Sequence, residues 1–243
     1  MENYRPITVQ VTVNKVFEKL LSRQLSHSFE GKFSDKLTAY RKSNSCETAV
    51  LSLIERWKKA LDERKIVVVL STDMSEAFDS LHRPLLLAKF KAYGVSDNSV
   101  KRLDSYFTDR YCIVKLGPVV SECEKVTRGC PQGSAFGPLL WNIYQNDLTY
   151  DIDVSLNMYA DDHQSYAMNN DIEVVNENVT HSATDASEWY TSNFLKSNLD
   201  MYRVLTLGSK LDNNIKIVIY DKAVASTDCL KLLGVSIDRG VSF

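Results

Sequence analysis

Residues Ile66-Val67-Val68-Val69-Leu70 form an unbroken apolar run rich in β-branched side chains, with Asp73 close behind it. A half-exposed strand alternates apolar and polar residues, whereas a continuous run has to be covered on both faces. The run therefore predicts a central strand with packing layers above and below it. It also sets a problem for Asp73. A carboxylate at the end of a strand, beside an apolar core, is costly unless it is paired or bound to a metal ion.

At 243 residues the chain has room for one large domain or two small ones. Hydrophobic residues make up 44% and charged residues 25%, ordinary globular values that supply a sizeable core. Gly 9 and Pro 5 are too few for long linkers. No stretch approaches the ~18 uninterrupted apolar residues of a spanning helix, and no secretory signal opens the chain. Cys46, Cys112, Cys123, Cys130 and Cys229 never fall as C-x-x-C, which argues against a disulfide framework or a zinc site. These features predict an intracellular chain with no membrane association, in nucleus or cytoplasm.

Around the central run, helical and strand patterns alternate irregularly. Val13, Val16, Phe17, Leu20, Leu21 and Leu25 recur at helical spacing before Gly31. A second helix opens on a capping-box pair, Asn44 and Glu47, and continues through Val50, Leu53, Ile54, Trp57 and Leu61. Pro84 and Gly94 bracket a third helix, and Ser96 caps a fourth with Val100, Leu103, Tyr106 and Phe107 on one face. Residues 110–127 read as a hairpin turning near Gly117-Pro118, and a helix follows Pro138. Two short strands flank Asp161-Asp162, a long helix spans about 172–195, and strands are predicted at 203–208, 215–220 and 230–237. The run Leu232–Ile237 reads as a strand awaiting a partner, at an end that looks truncated. Paired strands adjacent in sequence point to an α+β fold with a largely antiparallel sheet.

The net charge of −2 hides a gradient. Residues 1–66 carry 13 Lys and Arg against 8 Asp and Glu, while residues 131–243 carry 7 against 15. That balance argues against a protein that coats nucleic acid non-specifically, yet it permits one basic face along a phosphate backbone. Asp161 and Asp162 are adjacent, so in a tight turn both crowd one point, an arrangement a cation relieves. With Asp73 they would form a hard, oxygen-only site suited to Mg²⁺. By spacing alone, Asp-Asp reads better as ordinary turn chemistry and Asp73 as a cap of the following helix. His27, His82, His163 and His181 share no ligand spacing and receive no metal or catalytic role.

Context adds a resemblance. Tyr159-Ala160-Asp161-Asp162 is similar to the YADD box of reverse transcriptases, and Asp73-Met74-Ser75-Glu76-Ala77-Phe78-Asp79 resembles the family's D-L-S-K-A-F-D segment. Arg128-Gly129-Cys130-Pro131-Gln132-Gly133-Ser134 with Gly137-Pro138-Leu139-Leu140-Trp141 is similar to its P-Q-G-S…G-P-L-L segment. Asn3-Tyr4-Arg5-Pro6-Ile7 and Ala39-Tyr40-Arg41-Lys42 resemble the fingers segments; Asn193-Phe194-Leu195 and Leu232-Leu233-Gly234-Val235 resemble later palm segments. Their order matches the RNA-directed DNA polymerases of non-LTR, LINE-type retrotransposons over nearly the whole chain.

The resemblance implies a right-hand polymerase: fingers over about 1–65 with part of 80–128, palm over about 66–79 and 129–243, and no thumb. It implies that Asp73, Asp161 and Asp162 bind two Mg²⁺ ions (or Mn²⁺) for nucleotidyl transfer to a primer 3′-hydroxyl. It also implies that Arg41, Phe78, Gln132 and Gly133 contact the incoming deoxynucleoside triphosphate, with Phe78 as a gate against ribonucleotides. A core phenylalanine is the plainer reading of Phe78, and Asp79 reads as structural, its carboxylate pointing along the next helix turn. The implied partners are an RNA template, a DNA primer and deoxynucleoside triphosphates. Met201 stands where the family's N-x-L-x-x-N-x-x-K pattern ends in lysine, which supports a second reading: a decayed copy that keeps the fold and weak nucleic-acid binding. A metal-dependent phosphohydrolase using the same carboxylates is a third.

Overall fold

The apolar run becomes the middle of strand β1 (Ile66–Asp73) in the computed structural model of the chain, which describes residues 7–74, 77–208 and 216–241. Helices α1 (Thr12–Phe29) and α2 (Cys46–Asp62) precede it. The short α3 (Ala77–Ser80), then α4 (Arg83–Ala92) and α5 (Asp97–Phe107), come after it. Two-residue strands β2 (Tyr111–Cys112), β3 (Lys115–Leu116), β4 (Val119–Val120) and β5 (Glu124–Lys125) form the predicted hairpin around Gly117-Pro118. Next come α6 (Gly137–Gln145), α7 (Leu148–Asp151), β6 (Ser155–Tyr159), β7 (Asp162–Asn169) and α8 (Ile172–Ser192). A 3-10 turn at Leu199–Met201 leads into β8 (Arg203–Leu207), β9 (Lys216–Ile219), β10 (Lys222–Thr227), β11 (Cys229–Leu232) and β12 (Val235–Asp238).

These elements divide into two compact units, residues 1–33 with 76–144, and residues 34–75 with 145–243. The second unit is built on a sheet in the order β6-β7-β1-β8-β10-β9, antiparallel throughout except for the parallel pairing of β10 with β8. Val67, Val68, Val69 and Leu70 are fully buried. Period-two geometry sends Val67 and Val69 into a cluster with Leu53 and Trp57 of α2, while Val68 and Leu70 pack with Val175 and Val179 of α8. The expectation of a strand covered on both faces is met by a helix on each.

Three local readings change. The cap of α2 is Ser45, one residue past Asn44: its Oγ accepts the Thr48 N–H at 3.2 Å and its own N–H donates to Thr48 Oγ1 at 2.8 Å. Both pairs obey the same i, i+3 rule, so only the hydroxyl geometry separates them. Residues 230–237 are not one strand awaiting a partner but a hairpin, β11 against β12, turning at Leu233-Gly234 with Gly234 at φ +90°. Strand β10, absent from the sequence reading, pairs with β9 through a tight turn at Tyr220-Asp221, where neither residue is a glycine or proline to announce it.

The first unit hangs on a buried carboxylate. Helix α1 forms where its spacing predicts, but Val13, Val16, Phe17 and Leu20 are exposed and Glu18 is fully buried. Gln10 Nε2, Asn14 Nδ2 and Tyr106 Oη donate to Glu18 Oε1 at 2.8, 3.1 and 2.6 Å; Ser134 Oγ and the Ala135 N–H donate to Oε2 at 2.6 and 3.0 Å. One side chain thus ties α1 to α5 and to the loop before α6. Burial pushes the Glu18 carboxyl pKa up, but the donors, Ser134 and Tyr106 foremost, outweigh it and hold it below the ordinary value of 4.5. Arg83, also buried, donates to the carbonyls of Phe107, Arg128 and Gly129.

Truncating Leu70→Ala is expected to cost about 2–5 kcal/mol, read as a lower urea midpoint at unchanged m-value, because the strand is walled on both faces and cannot collapse around a cavity. Glu18 makes a pH-dependent contribution. Its folded pKa is depressed, so its stabilisation is present above the unfolded value and lost as pH falls through the folded one. Urea midpoints measured from pH 6 downward should therefore fall below about pH 4.5, and Glu18→Gln should flatten that part of the profile.

Candidate active site

Strands β6 and β7 pair up to Tyr159↔Asp162, which leaves Ala160 and Asp161 as a two-residue turn. Ala160 sits at φ +56°, a conformation that costs a non-glycine residue about 1–2 kcal/mol. Asp161 and Asp162 are half-buried at this strained tip. The neighbouring pairing places Asp73, the last residue of β1, opposite Asp162 across the antiparallel ladder. The backbone thus gathers the three predicted acids at one end of the sheet. The Asp73 side chain lies outside the described residues, as do the segments Asn3–Pro6 and Ser75–Glu76. Among the described residues, no three His, Cys, Asp or Glu side chains stand grouped for a metal ion.

Directly behind the acids is a polar network that sequence reading did not find. Thr72 and His163 are register partners, each one residue from an acid. His163 is buried, with Nδ1 2.9 Å from Tyr190 Oη and Nε2 2.9 Å from Gln145 Oε1; Tyr190 Oη is in turn 3.2 Å from Thr72 Oγ1. Burial pushes the His163 pKa down to about 3, so the ring is neutral. Burial likewise raises the Tyr190 phenol, which stays protonated. The signal for this network was only a histidine next to the paired acids; its partners lie 18 to 118 residues apart in sequence. On the other side of the turn, Tyr159 has its pKa pushed up to about 12, chiefly by a hydrogen bond with the Cys46 side chain at the start of α2 and by burial.

The remaining candidates fall in both units. In the second, Arg41 Nη1 donates to the carbonyls of Ser34 at 2.8 Å and Leu37 at 3.3 Å, so its guanidinium braces its own loop. In the first, Phe78 is half-buried with its ring 5.6 Å from that of Trp141. Gln132 and Gly133 sit in the loop that Glu18 braces, and the Gln132 carbonyl accepts the Thr8 N–H at 3.1 Å. Gly133 is at φ +90°, which explains the glycine by backbone conformation. Asp79 corrects the sequence reading. Its carboxylate reaches across to the loop and accepts Gln132 Nε2 at 2.6 Å. Gly129 is a further residue to which the sequence assigned no role: a Cβ there would lie 2.7 Å from the Asp79 carbonyl oxygen and 2.8 Å from its Cα. Met201, in the 3-10 turn, is exposed, and its neighbour Asp200 receives Arg203 at its carbonyl and Lys222 at its carboxylate.

Comparison with known proteins agrees with this arrangement. The family model described as reverse transcriptase (RNA-dependent DNA polymerase) matches residues 1–237. In Drosophila melanogaster, the probable RNA-directed DNA polymerase from transposon BS is 29% identical over 60% of this chain and 16% of its own length. That from transposon X-element is 25% identical over 99% of this chain and 27% of its own length. The RNA-directed DNA polymerase of the mobile element jockey is 21% identical over the whole chain and 28% of its length. The chain therefore spans between 16% and 28% of the length of these relatives. Among solved structures, apo telomerase from Candida tropicalis superimposes with a TM-score of 0.59 at 11% identity, over 93% of this chain and 40% of that one. At that identity the likeness concerns the fold, which is polymerase-like. With the family model running across both units, this chain belongs to the reverse transcriptase family.

Proposed function

We propose that the chain is the catalytic part of an RNA-directed DNA polymerase, adding deoxynucleotides to a primer 3′-hydroxyl on an RNA template. The observation that carries the reading is the register of Asp73 opposite Asp162, with Asp161 in the adjoining turn. All three are hard oxygen donors on adjoining backbone positions, a donor set that fits Mg²⁺ and disfavours softer metals. Asp73, Asp161 and Asp162 would hold the ions. Two bound ions would lower the charge on the attacking oxygen and on the departing pyrophosphate. In this reading the sheet of the second unit is the palm, and the basic segment within residues 1–66 contributes to the fingers.

The chain's own residues supply the rest. The neutral His163–Tyr190–Thr72 network braces the two strand ends that carry the acids, without adding a competing positive charge. Gln132 and Gly133 present the nucleotide-contacting loop, Phe78 provides the steric edge against a 2′-hydroxyl, and Arg41 the guanidinium for a triphosphate. Met201 carries no proton to offer a leaving group, and a positioned general acid is typically worth about 10²–10⁴-fold. Extension by this chain is therefore expected to be slow. Template binding through phosphate contacts should weaken steeply as salt rises.

Two measurements test this. Mn²⁺ relaxation should detect ion binding that weakens sharply in Asp73→Asn and in Asp161→Asn. RNA-templated primer extension with Mg²⁺ should fall about 10²-fold or more in Asp161→Asn, since the lost stabilisation is several kcal/mol. Ion binding indifferent to both substitutions would remove the proposal. For sugar selection, Phe78→Val should raise ribonucleotide relative to deoxynucleotide incorporation without abolishing synthesis. Unchanged discrimination would mean that the Phe78–Trp141 contact is core packing only.

A further inference from the structure

We infer that Asp79 is a positioning residue: it orients the side-chain amide of Gln132 for contact with the incoming nucleotide. The inference deepens the proposed function and rests on its assignment of Gln132 to the nucleotide. The loop at 129–135 is fixed along its backbone from several directions. The Gly129 N–H donates to the Leu81 carbonyl at 2.8 Å and the Cys130 N–H to the Phe78 carbonyl at 3.0 Å. The Thr8 N–H holds the Gln132 carbonyl, and Glu18 takes Ser134 and Ala135. Gly129 lets this loop lie directly against the Asp79 backbone, where any side chain would collide. Backbone clamping alone leaves the three torsions of a glutamine side chain undetermined.

The Asp79 carboxylate settles the last of them. An ionised carboxylate only accepts hydrogen bonds, so the end of the amide facing it has to be the NH₂. The Nε2···Oδ2 separation of 2.6 Å is that of a charge-assisted bond. The amide oxygen is thereby turned away from Asp79, and the amide has one orientation in place of two. Both residues lie toward solvent, where such a bond contributes little to folding. A carboxylate beside a triphosphate contact would otherwise weaken anion binding, so its place there is explained by geometry.

The test uses side-chain amide NMR of the whole chain together with binding of thymidine triphosphate with Mg²⁺ by calorimetry. In the parent protein the Gln132 NH₂ pair should be shifted and slow to exchange. Asp79→Leu should return it to solvent-like values, while Asp79→Asn, whose Oδ1 still accepts, should keep it. Triphosphate affinity should drop about tenfold in Asp79→Leu, the worth of one such bond, and stay within about threefold of the parent in Asp79→Asn. In a Gln132→Ala background, Asp79→Leu should cause no further loss of affinity. Equal thermal midpoints for the two Asp79 variants would separate orientation from folding. Gln132 amide signals that do not change in Asp79→Leu would overturn the inference, as would equal losses of affinity in the Leu and Asn variants. If the amide signals respond while Gln132→Ala binds the triphosphate as the parent does, the assignment of Gln132 to the nucleotide fails and the Asp79–Gln132 clamp stands.

Discussion

Burying β1 on both faces is the constraint from which the second unit follows. Four consecutive apolar residues have to find cover above and below, so α2 and α8 must pack on opposite sides and β7 and β8 must flank the strand within the sheet. At about 25 cal/mol per Å² of apolar surface, the burial is strong enough to fix strand register, because a slip of one residue would exchange the two faces. Register is what matters for chemistry here. It places the last residue of β1 opposite the first of β7, and so carries Asp73 to Asp162.

The acids then stand where a well-packed core ends. The support beside Asp161 and Asp162 is polar yet uncharged. His163, Tyr190 and Thr72 supply it: each is hydrogen-bonded, and burial keeps the imidazole and the phenol neutral. The strained φ at Ala160 belongs to the same arrangement, because a two-residue turn holds Asp161 close to the strand ends.

The first unit uses the opposite device. Its organising group is not an apolar strand but Glu18, a carboxylate satisfied by five donors from four parts of the chain. A buried charge of this kind is tolerable only when fully hydrogen-bonded, which makes it demanding of geometry. The geometry it demands is that of the loop carrying Gln132 and Gly133. Beside that loop Arg83 donates to four carbonyls, those of Phe107, Val126, Arg128 and Gly129, and Gly129 admits the Asp79 backbone.

Much of this was legible in the residues themselves. The β-branched run at 66–70 determined a doubly covered strand, Pro84, Gly94 and Ser96 marked helix ends, and Gly117-Pro118 marked a hairpin, because each is a local steric or hydrogen-bonding preference. The motif segments around Asp73, Gln132 and Asp161 determined the family. Local preference could not choose between Asn44 and Ser45 as a cap, nor find β10 behind a turn without glycine or proline. Nor could it show that Glu18, set among apolar neighbours on α1, would be the buried side chain. Asp79 makes the point most directly: along the chain it is one more acid at the start of a helix, and 53 residues separate it from the amide it holds. Only folding brings those two together, because the energy of a hydrogen bond depends on distances that sequence separation does not encode.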